Sequence, residues 1–442
     1  MTKADELYAR ASRVMPGGVT ASARINKSTG KPFFMSHGQG GRVYDLDGRE
    51  YVDLCTSFGA ALLGHGHPRV KEAIIKGVEL GLICSSENEY QTELAEKLVR
   101  ILPCADMVRF TISGTETTWY VIRLAREFTG RQKIVKIEGH FHGFNDYLQF
   151  NYWPPLGEAL PNIREEAPGS PGNMRDYIIV LPFNDPVALE ETLTRQGHEI
   201  AAVILEPLNY NSGGIRPQPG YLQLLRRLTQ EQGIVLIFDE ILSGFRTGPS
   251  CMQGYFGVTP DLCTVGKALG GGTALSAYAG KAEIMRHVAP LGKAMHSGTY
   301  NANLINILAG IAFVEEITQP GFYESLLPRA ERLYRELNAI FQETGLHARV
   351  QGTGARFNIL FGAAADRELV NYRDAALQDW GLGYRFFGAA LEHGVYFHTM
   401  WHHGISSMHT DDDLDHILEG VRAAAREVAA LKIEGSQEVF SL

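Results

Sequence analysis

Three apolar runs, Ile200 to Leu205, Ile234 to Phe238 and Leu262 to Val265, constrain the fold of this chain more than any other feature. Each has the length of a strand and is apolar at consecutive positions, so both of its faces must be covered. They belong to a longer alternation of strand and helix patterns. A strand is expected over Val108 to Ile112, a helix over Glu116 to about Thr129 closed by Gly130, and a strand over Lys133 to Ile137. A helix over Tyr221 to Gln232 separates two of the later strands. This βαβ rhythm predicts an α/β fold with a mostly parallel sheet covered by helices.

The ends of these runs carry the chemistry. Gly233 to Phe238 ends on Asp239, and Leu262 to Val265 runs into Gly266-Lys267 and then Gly270-Gly271-Gly272. A lone carboxylate and a lone lysine at the rim of a buried sheet match the needs of a pyridoxal 5'-phosphate site. The lysine amine forms the Schiff base, and the carboxylate keeps the pyridine nitrogen protonated. Ser113-Gly114-Thr115 falls between a strand and a helix, where unbonded N–H groups and the helix dipole favour a phosphate. Taken singly, each signal has a commonplace reading: Ser113 as a helix cap, Lys267 as a surface lysine, Asp239 as a cap with Glu240 as the functional acid. Their order along one sheet is what points to the cofactor.

The remaining features bound the problem. A length of 442 residues suits about two to three domains. The patterns divide it into an N-terminal segment, 1–60, that packs with the small domain, a large cofactor-binding domain, 61–315, and a smaller α+β domain, 316–442. A hairpin is expected around Asp47-Gly48 and a helix from Pro68 to Leu80. Residues 151–176 hold five prolines and read as a long loop. Helical patterning runs from Leu304 to Gly345. Beyond it lie strands over Ala355 to Phe361 and Val395 to His398, and helices over Arg385 to His393 and Asp412 to Lys432.

A net charge of -9 without a basic block argues against a nucleic-acid partner. Five cysteines without a CxxC pair argue against structural zinc or a disulfide scaffold, and suit a reducing compartment. Residues 1–14 are polar and charged, and no apolar stretch is long enough to span a bilayer, so a cytoplasmic protein with no membrane partner is expected. His65, His67 and His142 stand among glycines and read as turn residues, and no metal is expected. His398, Trp401, His402, His403 and His409 read as pocket lining or loop packing.

Several motifs recur in one order: Met15-Pro16-Gly17-Gly18-Val19, Gly64-His65-Gly66-His67-Pro68, Ser113-Gly114-Thr115-Glu116, Phe141-His142-Gly143, Glu206-Pro207, Asp239 to Arg246, Gly266-Lys267 and Ser297-Gly298-Thr299. On these the chain resembles the class III (subgroup II) pyridoxal-phosphate-dependent aminotransferases of fold type I. The pattern is most like that of the glutamate-1-semialdehyde 2,1-aminomutases and their aminotransferase relatives. The resemblance implies that Lys267 binds the cofactor and moves the substrate proton, and that Asp239 pairs with the pyridine nitrogen. It assigns the phosphate to Ser113, Gly114 and Thr115. Thr299 would reach the phosphate of a neighbouring subunit, which implies a homodimer. Asn211 falls near the ring hydroxyl, Ile241 on one ring face, and Phe141 on the other face in place of a tyrosine. Arg24 would meet a substrate carboxylate.

The chain departs from the aminomutase pattern at Ala21, where a serine aligns, and at Phe58, where a tryptophan aligns. It also departs at Trp401-His402-His403-Gly404, where a glutamate precedes the glycine. These changes suggest a substrate pocket lined by Phe58, Trp401 and His402 for a bulky or aromatic amino donor, handled by ping-pong amino transfer to a keto acid. An isomerase of the aminomutase kind is the alternative. A non-catalytic cofactor-binding dimer is a third reading, against which Lys267 and Asp239 weigh.

Overall fold

The two-faced apolar runs form neighbouring strands in a computed structural model that describes residues 2–81, 85–158, 160 and 163–431. Cys84, Pro161 and Lys432, which enter the cysteine, loop and helix expectations above, lie outside the described residues. The chain divides into two units. One comprises residues 68–324 and 368–376. The other comprises residues up to His67, Ser325–Arg367 and the chain from Leu377 on. The sequence reading instead divides the chain after 60 and after 315.

The unit of residues 68–324 is built on a seven-stranded sheet. In chain order its strands are β1 (Met107–Thr111), β2 (Lys133–Ile137), β3 (Ile178–Leu181), β4 (Ile200–Leu205), β5 (Val235–Glu240), β6 (Leu262–Val265) and β7 (Ser276–Gly280). Their spatial order is β1-β7-β6-β5-β4-β2-β3. Every pairing is parallel except the two made by β7, which runs against both β6 and β1. Neither β3 nor β7 is anticipated in the sequence. β7 reads Ser-Ala-Tyr-Ala-Gly, too small and polar for the two-faced apolar signature, and β3 follows the proline-rich loop.

The helix Gly114–Thr129 buries Val121, Ile122, Leu124 and Ala125 in a core shared with Ile204, Ile237 and Tyr278. Its ends follow local chemistry. The Ser113 side chain caps its first turn, and Gly130, at φ +69°, closes it in the left-handed region that glycine enters without penalty. The register pairs Asp239 with Thr264, so the acid of β5 stands level with the residue three before Lys267. Both lie at the carboxyl ends of parallel strands, where α/β sheets open into a binding crevice.

The other unit is α+β. The hairpin around Asp47-Gly48 forms as expected, with Arg42–Asp45 against Glu50–Asp53. Met35–Gln39 and Val395–Tyr396 extend it to four strands. A second sheet holds Ala348–Thr353, Arg356–Phe361 and His403–Gly404. The long helical stretch is two helices, Leu304–Ile317 in the unit of residues 68–324 and Phe322–Thr344 mostly in this one, broken before Gly321. The last helix, Asp411–Ala430, starts from a capping box on Thr410. In the unit of residues 68–324, the described residues of 151–176 carry a bridge from Glu165 to Phe150 and a 3-10 turn beginning at Met174. Among the described residues no helix is long and apolar enough to cross a membrane.

Candidate active site

Asp239 is 3% exposed and its carboxylate is held from three directions. Thr264 Oγ1 donates to Oδ1 at 2.8 Å, the Ile241 N–H donates to the same oxygen at 3.1 Å, and His142 Nδ1 meets Oδ2 at 2.7 Å. Glu240, its neighbour, faces the other way, as alternate strand residues do. The Glu240 carboxyl accepts from Gln253 Nε2 at 2.9 Å and from the Met252 N–H, and burial pushes its pKa up to about 8. It anchors the helix Cys251–Phe256, which leaves Asp239 as the acid on the His142 side.

Lys267 has φ +45°, a left-handed conformation that a lysine adopts only where its surroundings demand it. The residue before it, Gly266, is closely hemmed in by side chains. A Cβ on Gly266 would lie 2.4 Å from Ser276 Oγ and 2.9 Å from Ile241 Cδ1. The same Ile241 side chain lies 3.0 Å from where a Cβ on Gly114 would stand. Ile241 therefore packs between the glycine that precedes the lysine and the glycine that opens the helix.

At the helix start, Ser113 Oγ accepts the Glu116 N–H at 3.2 Å, and Glu116 Oε2 accepts the Ile112 N–H at 3.0 Å. The N–H groups of Gly114 and Thr115 have no carbonyl of their own helix to bond, and the helix dipole places partial positive charge there. Thr115 Oγ1 accepts the Phe144 N–H at 3.1 Å. Gly143, at φ +81°, approaches so closely that a Cβ would stand 2.5 Å from that oxygen. The Phe141-His142-Gly143 turn is thus pressed onto the helix start. Phe141 is half-buried, and its N–H donates to Glu206 Oε1 at 2.9 Å, while Asn211 Nδ2 donates to Glu206 Oε2 at 2.9 Å. Burial, then the charge of Asp239, push the Glu206 pKa up to about 8, and its two donors and Lys267 pull the other way.

Ser113, Gly114, Thr115, Phe141, Asn211, Asp239, Ile241 and Lys267 are linked through these contacts into one site. An anion cradle, a buried carboxylate and a lysine in a strained backbone suit the phosphate, the ring nitrogen and the aldehyde carbon of pyridoxal 5'-phosphate. Thr299 is different. It lies exposed on a turn beside the helix, where Tyr120 Oη donates to Ser297 O at 2.8 Å and Asn301 Nδ2 to Glu116 Oε1 at 3.1 Å.

The expected substrate residues all belong to the other unit. Arg24 is exposed and its guanidinium donates to Thr20 Oγ1. Phe58 closes a run of three left-handed residues, Thr56, Ser57 and Phe58, and sets its ring edge-on to His398 with centroids 4.4 Å apart. Burial carries the His398 pKa down to about 4, so its imidazole is neutral. Trp401 packs edge-on against Trp380 at 4.8 Å. His402 Nδ1 accepts from Arg356 Nη2 at 2.6 Å, which leaves the His402 proton on Nε2, and Arg356 Nη1 donates to Thr56 Oγ1 at 2.9 Å. Among the described residues no group of His, Cys, Asp or Glu side chains is placed to hold a metal ion.

Sequence reasoning passes over three participants. His142 reads as a turn residue, and nothing local announces that it faces Asp239. Trp153 lies in the irregular loop, yet its Nε1 donates to Asn211 O at 3.1 Å and its ring lies near-parallel to Phe141. Glu206 had a usable signal: it follows the apolar run β4 directly, as Asp239 follows Phe238 within β5.

Residues 24–424 match the family described as aminotransferase class-III, and the chain belongs to that family. It is a pyridoxal-phosphate-dependent aminotransferase of fold type I, and its cofactor is pyridoxal 5'-phosphate. By sequence it is similar to glutamate-1-semialdehyde 2,1-aminomutase of Desulfitobacterium hafniense, 40% identical over 95% of this chain and 97% of that one. By structure it is similar to an omega-transaminase from Sphaerobacter thermophilus, with a TM-score of 0.92 and 31% identity over 97% of this chain and 98% of that one. It is also similar to a beta-phenylalanine aminotransferase from Variovorax paradoxus, with a TM-score of 0.83 and 29% identity over 95% of this chain and 92% of that one.

Proposed function

We propose that this enzyme moves an amino group from a bulky or aromatic, carboxylate-bearing donor to a keto acid in two alternating half-reactions. The observation that carries this reading is the set of side chains where an aminomutase pattern would place hydroxyl, indole and carboxylate. Here those positions hold Ala21, Phe58 against His398, and the Trp401-His402-His403-Gly404 stretch, with Trp401 packed on Trp380 and His402 braced by Arg356. Polar contacts that would retain a small diamine are replaced by aromatic and imidazole groups. Sites built on hydrogen bonds discriminate sharply, whereas apolar ones tolerate larger ligands. The likeness to an omega-transaminase and to a beta-phenylalanine aminotransferase supports the same direction.

When bound, pyridoxal 5'-phosphate supplies the electron sink that stabilises the carbanion left as the substrate C–H bond breaks. The protein's residues supply the rest. Lys267 would hold the cofactor through its amine and would carry the proton at the reacting carbon. Asp239, fixed by Thr264, Ile241 and His142, presents a charge to the ring nitrogen. Ser113, Gly114 and Thr115 hold the phosphate at the helix start, Ile241 and Phe141 cover the two ring faces, and Asn211 meets the ring hydroxyl. Arg24 receives the donor carboxylate. Thr299 acts on the phosphate of a second subunit, so the homodimer is the working unit. The four described cysteines are buried free thiols, which supports a reducing, cytoplasmic setting.

The 40% identity to an aminomutase supports a second reading, an isomerase that moves the amino group within glutamate-1-semialdehyde. A screen of amino donors, following bleaching of the yellow cofactor band, separates the two. Bleaching by aromatic amino acids, reversed by a keto acid, is expected. Efficient conversion of glutamate-1-semialdehyde to 5-aminolevulinate without an added acceptor would overturn the transaminase reading.

A further inference from the structure

Glu206 lies directly beyond β4 and is 2% exposed. Its own N–H donates to His140 Nδ1 at 2.9 Å, which ties its backbone to the turn that carries Phe141. Its two carboxyl oxygens are divided between two other residues. One accepts the Phe141 N–H and the other the Asn211 carboxamide, each at 2.9 Å. We propose that Glu206 is a positioning residue for the cofactor ring, one carboxylate that sets both the stacking face of Phe141 and the hydrogen-bonding edge of Asn211. The inference rests on reading Phe141 and Asn211 as cofactor contacts.

The chemistry favours this over a purely structural role. A buried carboxylate is costly, and a fold that needed only to fill the space would be served as well by an apolar side chain. Here the group interacts electrostatically with other ionisable residues, Asp239 at the end of β5, Lys267 after β6 and Lys136 on β2. Its hydrogen bonds are spent on two residues of the site rather than on the core. With one amide hydrogen given to Glu206, Asn211 keeps its second N–H and its carbonyl for the ring hydroxyl. Losing Glu206 would let the carboxamide rotate and release the turn at Phe141.

The test uses the full-length apoenzyme and measures the dissociation constant of pyridoxal 5'-phosphate for Glu206→Gln, Asn211→Ala and the double variant. The position of the visible band of the loaded proteins is recorded as well. Each single change is expected to weaken binding about tenfold and to shift the band. The double variant should fall short of the product of the two effects, because Glu206 acts partly through Asn211. If Glu206→Gln does not fold, Glu206→Asp keeps the carboxyl group but is too short to span both donors, and the same loss is expected. Affinity within about twofold of the wild type in the Glu206 variant, or effects that multiply fully in the double variant, would overturn the inference while leaving the Asn211 contact standing. An unchanged affinity in Asn211→Ala would instead remove the contact on which the inference rests, and the inference with it.

Discussion

His142 Nδ1 lies 2.7 Å from Asp239 Oδ2, with both side chains buried. Burial lowers the His142 pKa despite the pull of Asp239, so the imidazole is neutral with its proton on Nδ1, donated to the carboxylate. The Asp239 carboxylate thus accepts hydrogen bonds from His142 Nδ1, Thr264 Oγ1 and the Ile241 N–H. This geometry supports the proposed role of Asp239 as a charge partner for the ring nitrogen.

Asp239→Asn keeps the shape and removes that charge. Single-turnover rates of the first half-reaction should fall by several orders of magnitude, since a buried charge partner is worth several kcal/mol. A loss smaller than about tenfold, roughly 1.4 kcal/mol, would mean that another group partners the ring nitrogen.

Lys267→Ala should eliminate turnover while circular dichroism shows an unchanged fold and equilibrium dialysis still shows some cofactor bound. The proposed reaction needs the amine both as anchor and as proton carrier. Near-normal turnover by this variant would contradict the central assignment.

Arg24→Ala should raise KM for a carboxylated donor at least about tenfold, the scale of one charge-assisted hydrogen bond. KM for a plain amine of similar size should change little. Equal effects on both donors would place the substrate carboxylate elsewhere.

The exposed turn that carries Thr299 is the basis for a mixing experiment. Lys267→Ala and Thr299→Val subunits combined in one preparation should form heterodimers that hold one fully wild-type site. Recovery of cofactor affinity and activity above that of either parent is the expected result. No recovery would assign Thr299 to its own subunit or to no site at all.

Glu240 provides a pH test of stability. Its folded pKa is raised from 4.5 to about 8, chiefly by burial, so the native state binds the proton more tightly than the unfolded chain. The stability this contributes is complete below about pH 4.5 and is lost as pH rises through about 8. Glu240→Gln cannot ionise. Its melting temperature relative to wild type should therefore improve between about pH 6 and about pH 9. A pH-independent difference would mean that Glu240 does not titrate in this window.

Much of the fold was legible because its signals are local. The strands β4 and β6 lie where apolar runs place them, since a run that is apolar at consecutive positions needs both of its faces covered. The helix Gly114–Thr129 begins at a capping serine and ends at a left-handed glycine, both visible in the sequence. β7 was not legible. Its small residues pair antiparallel between β6 and β1 because the sheet leaves a gap there, and a gap is not a property of the segment that fills it.

The site divides along the same line. Asp239 and Lys267 declare themselves in the sequence, because a charge placed straight after a buried strand has only the sheet edge to occupy. What the sequence alone determined was this set of charged and hydroxyl groups at strand and helix ends. Tertiary structure decided which of them meet. His142 faces Asp239 across 97 positions of chain, and Glu206 joins Phe141, 65 positions away, to Asn211. Such pairings depend on how the strands order in the sheet and how the turns between them close. That order is set by packing over the whole unit, and no local pattern encodes it.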